Sequence, residues 1–129
     1  MPVECRIDHE RRLVIVRGHG TVTHVDISAY QREAWSNAEI DGYDELMDMS
    51  QVGHLVMPSV EQIRELARLS AGMDNPARPS RFAIYAPTDL AFGLGRMYEV
   101  YRSLDERSTK QISVFRSLDE AMAFLDRGE

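Results

Sequence analysis

The apolar positions of this chain switch several times between alternation and helical spacing, and each switch marks an element. Residues 3–8 and 13–17 are short runs of strand type, separated by the charged stretch 9–12, which reads as the connection of a hairpin. Gly18-His19-Gly20-Thr21 is a breaker cluster. After it, Ile27, Tyr30, Ala34, Trp35 and Ala38 recur at helical spacing, with Thr23 placed as N-cap and Asp26 in the first turn. Asp41-Gly42 is expected to end that helix, and residues 43–49 alternate as a third strand with Asp48 near its carboxyl end.

Ser59-Val60-Glu61-Gln62 matches a capping box, and Val60, Ile63, Leu66, Ala67, Ser70 and Met73 continue one helical face behind it. Two prolines within residues 75–79 stop this helix. Residues 81–86 then form a nearly unbroken apolar run, as expected of a strand covered on both faces, and Pro87 ends it. Leu90, Leu94, Met97, Tyr98, Tyr101 and Leu104 mark a third helix, residues 111–115 a last strand, and Leu118, Ala121, Met122 and Leu125 a final helix capped by Ser117 with Glu120. The order β-β-α-β-α-β-α-β-α predicts a single α/β domain over residues 1–129. Its mixed five-stranded sheet carries four helices, and the opening strand runs antiparallel at or near an edge. The pentapeptide Arg-Ser-Leu-Asp-Glu at residues 102–106 and 116–120 falls on a helix end and then on a helix start, so it is no structural repeat.

Composition narrows the function classes. A chain of 129 residues, 43% apolar and 28% charged, is neither disordered nor a disulfide-stapled miniprotein, and its single cysteine, Cys5, cannot form an internal disulfide. A formal net charge of −6 without a segregated basic face argues against nucleic acid as partner. No apolar run reaches the length of a membrane span, and the first twelve residues lack the apolar segment of a secretory signal, so the expected location is the cytoplasm.

Candidate chemistry follows from the fold rule that open α/β sheets bind ligands beyond the carboxyl ends of their parallel strands. The segments expected there, residues 18–21, 48–58 and 87–89, carry His19, Asp48, Ser50, His54, Thr88 and Asp89 as a candidate binding crevice. The four histidines, His9, His19, His24 and His54, show no ligand spacing, so no metal and no other cofactor is expected. Gly18-x-Gly20 and Gly93-x-Gly95 lack the third glycine of a dinucleotide fingerprint. The second pair lies in a helix beside Phe92, which makes Phe92, Gly93 and Gly95 a candidate homodimer surface; tight packing of that helix on its own sheet is the alternative. Met47, Met49, Met57, Met73 and Met97, with Trp35 and Phe92, are core residues or the wall of an adaptable apolar pocket. Ser59, at a helix start where free N–H groups favour an added phosphate, is a cap and a candidate phospho-switch.

Three phrases carry a family resemblance. Gly20-Thr21-Val22-Thr23-His24-Val25-Asp26 leading into the first helix, Leu46-Met47-Asp48-Met49-Ser50 in the third strand, and Ala91-Phe92-Gly93-Leu94-Gly95-Arg96-Met97-Tyr98-Glu99 resemble STAS domains, in particular the SpoIIAA-like bacterial proteins. The resemblance spans nearly the whole chain and implies a SpoIIAA/STAS-like fold with helices mainly to one side of a mixed sheet. It implies a non-enzymatic regulatory or protein-binding domain in signalling, similar to the anti-sigma-factor antagonists. In those proteins a switch serine opens the second helix; Ser59 matches by position, flanked by Pro58 and Val60 in place of the family's aspartate and glycine. A similarity to SEC14-type lipid-transfer domains implies the alternative, a carrier of a small apolar ligand or lipid.

Overall fold

The computed structural model describes residues 2–126. Its elements are β1 (Val3–Asp8), β2 (Leu13–Val22), α1 (His24–Trp35), a 3-10 turn (Ala38–Ile40), β3 (Asp44–Leu55), α2 (Val60–Met73), β4 (Arg81–Tyr85), α3 (Asp89–Ser103), β5 (Gln111–Phe115) and α4 (Leu118–Leu125). They build one five-stranded sheet in the order β1-β2-β3-β4-β5, antiparallel between β1 and β2 and parallel from β2 onward. Each parallel strand is added on the same side of the one before it. Right-handed crossovers therefore deliver α1, α2 and α3 to one face, while α4 returns beneath β4 and β5 on the other.

The period-2 alternation of the strands sorts the core into two layers. Val14, Val16, Met47, Met49, Phe82, Ile84 and Val114 meet Tyr30, Trp35 and Ala91 under the first three helices. Leu13, Ile15, Leu46 and Ala83 meet Ala121 and Leu125 of α4. Strands buried on both faces lose the polar half of their pattern, which is why residues 81–86 read as continuous.

Three helix starts match their local signals. Thr23 with Asp26 and Ser59 with Gln62 form complete capping boxes, and the Ser117 hydroxyl accepts from the Glu120 N–H. The first helix stops at Trp35, earlier than Asp41-Gly42, because Ser36 caps it and Asn37 starts the separate 3-10 turn.

The larger correction concerns β2 and β3. Residues 18–21 and 50–55, expected as loops, are strand, since the two segments run on past β4 and β5 and satisfy each other's backbone groups through register shifts between Arg17 and His19 and between Gly20 and Thr21. Glycine is needed there for space and for backbone angle. A Cβ on Gly18 would lie 2.9 Å from Val52 Cγ2, and Gly20 sits at φ +65°. Among the described residues, no helix is long and apolar enough to cross a membrane.

Candidate functional site

The overhang of β2 and β3 disperses the expected crevice. Met47 and Met49 point toward the three helices, so Asp48 and Ser50 point to the opposite face, where Asp48 Oδ1 accepts from the Ser50 hydroxyl at 2.6 Å and Asp48 Oδ2 lies 3.7 Å from Arg17 Nε. His19 Nε2 lies 3.5 Å from Glu4 Oε1. His54 is exposed opposite Thr21. Thr88 caps α3 by accepting from the Ala91 N–H at 3.2 Å, and Asp89 pairs at 2.7 Å with Arg116, whose guanidinium covers the Phe92 ring. Asp48 with Ser50, His19, Thr88 and Asp89 are thus held in separate local contacts, and His54 stands in solvent.

The third-helix glycines also part company. Gly93 is exposed, whereas Gly95 is buried with its missing Cβ only 3.1 Å from Val114 Cγ1, so it belongs to the contact of α3 with its own sheet. Gly95 cannot lie on a dimer surface. Ser59 is exposed at the start of α2, where its hydroxyl accepts from the Gln62 N–H at 3.1 Å while Gln62 Oε1 accepts from the Ser59 N–H at 2.8 Å.

What the fold does assemble is a cavity of about 90 Å³ between the sheet and α2. Its floor is Met47, Met49, Phe82 and Ile84, its roof Ile63 and Leu66, and its flanks Ile27 of α1 and Leu94 of α3. The roof is supported unusually, since α2 rests mainly on α1 and α3 and hardly on the strands. At the carboxyl end of the sheet the lining changes to His24, Leu55, Val56 and Pro58, where Val56 is 38% exposed, and the chain neighbours Val25 and Met57 of these residues stand in solvent. The other end is polar, with Tyr30, Gln31, Glu45, Ser70 and Tyr98. Of the five methionines and two aromatics singled out in the sequence, Met47 and Met49 line this cavity and the others do not.

The polar end is held by a buried network that sequence reasoning missed. Glu45 is 2% exposed; its Oε2 accepts from the Tyr30 hydroxyl at 2.7 Å and its Oε1 from Lys110 Nζ at 2.8 Å. Trp35 Nε1 donates to the Tyr30 oxygen at 3.0 Å, and the Lys110 ammonium sits 3.3 Å from the centre of the Trp35 ring. Burial, and then the Glu45 carboxylate beside it, push the Tyr30 hydroxyl well above the ordinary tyrosine range. Burial likewise raises Tyr98, against the opposing pull of Arg102. Arg102, 2% exposed, donates to the Tyr98 oxygen at 2.7 Å and to the Ser108 hydroxyl at 2.9 Å and forms an ion pair with Asp74. Asp74 also accepts from the Thr109 N–H at 2.9 Å, which ties the ends of α2 and α3 to the start of β5. Two signals were present in the sequence. Glu45 falls in the same alternation phase as Met47 and Met49, so a carboxylate stands in an apolar row, and Lys110 is the only lysine among 15 basic residues.

The arrangement offers an apolar volume closed at one end by hydrogen-bonding groups that already have partners. Among the described residues, no group of three or more His, Cys, Asp or Glu side chains is placed to hold a metal ion. No protein-family model matches the chain, and no curated protein matches it. Among solved structures, it is similar to an uncharacterised protein of the DUF3478 family with a SpoIIAA-like fold from Shewanella loihica PV-4. The TM-score is 0.60 at 14% identity over 96% of this chain and 94% of that one. Element order, sheet topology and this likeness agree: the chain has a SpoIIAA-like fold.

Proposed function

We propose that this chain is a non-enzymatic binding protein that takes a small apolar molecule, or the end of an apolar chain, into the cavity beneath α2. The observation that carries the reading is the cavity with its asymmetric ends: Leu55, partly exposed Val56 and Pro58 at one end, and the closed Glu45–Tyr30 network at the other. An apolar surface kept in water at the mouth of an apolar hole lowers the cost of passage for a molecule that water rejects. A volume of about 90 Å³ is smaller than the ~300–1,000 Å³ of drug-sized ligand sites, so a longer ligand requires α2 to lift from α1 and α3. The network supports binding over catalysis, because its carboxylate, ammonium and hydroxyl are committed to each other. Native mass spectrometry of protein purified from cells, with organic extraction of the same sample, tests the reading. A retained apolar species is the expected result. Bare mass together with no enhancement of an apolar fluorophore would end it.

A second reading, a regulatory domain that binds a protein partner in the cytoplasm, is favoured by Ser59: its hydroxyl is exposed at the start of the helix that roofs the cavity. Here Ser59→Ala is expected to cost about 0.5–2 kcal/mol by loss of the cap, whereas Ser59→Asp keeps the cap and the favourable helix-end charge. A partner retained by Ser59→Ala and lost by Ser59→Asp in a pull-down supports this switch, and equal retention refutes it.

A further inference from the structure

We propose that the free edge of β1 is a self-pairing surface, so that two copies join through β1 into one continuous ten-stranded sheet with Cys5 on the two-fold axis. The backbone supplies the first argument. Pro2 lies opposite His19 in the β1–β2 register, and the His19 N–H donates to the Pro2 carbonyl at 2.8 Å, which makes this a hydrogen-bonded pair. Alternation then turns the N–H and C=O groups of Glu4, Arg6 and Asp8 toward β2 and those of Val3, Cys5 and Ile7 outward. Among the described residues, no further strand pairs with that edge, since β1 is the terminal strand of the sheet. The strand has no proline inside it, no bulge against β2 and no lysine, and the exposed charges it does carry, Glu4 and Arg6, are of opposite sign.

Charge supplies the second argument and selects the occupant. The strand reads Val3-Glu4-Cys5-Arg6-Ile7, which is self-complementary when run antiparallel to itself about Cys5. In that register Val3 faces the second copy's Ile7 and Cys5 faces the second copy's Cys5 as hydrogen-bonded pairs. Glu4 faces the second copy's Arg6, and Arg6 its Glu4, in the wide pairs where side chains come closest. The neighbouring registers that keep the outward groups paired are centred on Glu4 or on Arg6. They set Glu4 against Glu4 or Arg6 against Arg6, which the two charges forbid. Glu4, Cys5 and Arg6 are all exposed, and Glu4 Oε1 and His19 Nε2 meet on the open face at 3.5 Å without closing the edge. On the other face a groove of about 710 Å³ between β1 and α1, bordered by Val3, Cys5 and Ile7 with Ala29 and Ala34, leaves room for the side chains of a second strand. This surface is separate from α3.

Sedimentation velocity on the full chain tests the proposal with a charge cycle. The native protein is expected to dimerise. Glu4→Arg and Arg6→Glu, each of which places like charges across both wide pairs, are each expected to raise the dimer dissociation constant at least about tenfold. Glu4→Arg/Arg6→Glu restores the pairing, and an equimolar mixture of the two single variants restores it as a heterodimer, which no general loss of folding can mimic. A short bis-maleimide, reacting at the single cysteine, is expected to link native dimers and to fail with Glu4→Arg. A native chain that stays monomeric up to about millimolar concentration would overturn the proposal. So would a dimer indifferent to all four charge arrangements, or one broken by Phe92→Ala, which would place association on α3.

Discussion

Filling the cavity beneath α2 should stabilise the protein and block its use. Ala91, in the first turn of α3, is 7% exposed and lines the cavity, and its N–H is already held by Thr88 Oγ1, so Ala91→Leu adds three carbons into the void and leaves the cap intact. Two independent estimates agree on the size of the effect. A void of about 90 Å³ at about 24 cal/mol per Å³ costs the free protein about 2 kcal/mol. Three carbons transferred out of water at about 0.8 kcal/mol each yield about 2.4 kcal/mol. For 129 residues, an unfolding entropy of about 0.27 kcal/mol/K converts 2 kcal/mol into a rise in Tm of about 7 °C. Urea melts at fixed m-value measure the stability, and the fluorescence of a small apolar dye measures access to the cavity. A stabilised variant that no longer takes up the dye is the expected pair of results. Destabilisation by 1 kcal/mol or more would mean overpacking and no usable void, and stabilisation with undiminished uptake would place the ligand elsewhere.

Other consequences concern the buried network. Lys110→Met leaves the Glu45 carboxylate buried without its cation and should cost about 3–5 kcal/mol, while Glu45→Gln/Lys110→Met should cost less than the sum of the two single changes. Strictly additive losses in a double-mutant cycle would contradict a direct coupling. Tyr30→Phe removes the partner of both Trp35 Nε1 and Glu45 Oε2 and should cost about 1–3 kcal/mol near neutral pH. Because the folded state holds the Tyr30 proton more tightly than the unfolded chain, this group's contribution is intact below the ordinary tyrosine value of about 10 and is lost as pH rises from there toward the raised folded value. Above about pH 10, denaturation midpoints should therefore fall more steeply for the native protein than for Tyr30→Phe. Parallel curves would show that Tyr30 is not the group responsible.

Legibility in the sequence followed the range of the forces involved. The capping boxes at Thr23 and Ser59, the Ser117 cap, the proline stop after α2 and the alternation of the strands are written within a few residues, and all could be read. Chain order predicted a mixed sheet with its opening strand antiparallel, but right-handed crossovers alone leave both directions of strand addition open. That β3, β4 and β5 are each added on the same side, which sets α1, α2 and α3 on one face, is decided by the fold. Gly18 and Gly20 misled for a local reason. A glycine cluster marks a break when nothing lies beside it, but here Val52 and a register shift against β3 require small or left-handed residues inside a paired strand. The extension of β2 and β3 in turn sent Asp48 and Ser50 to the face opposite the cavity, since one residue of phase reverses a side chain. Tertiary structure alone decided the cavity and its network. Glu45, Lys110, Tyr30 and Trp35 are far apart in sequence, and their partnership depends on how α1 and the start of β5 pack around β3. Local pattern marked Glu45 as a carboxylate in an apolar row. Only packing could supply the ammonium and hydroxyl that make its burial tolerable.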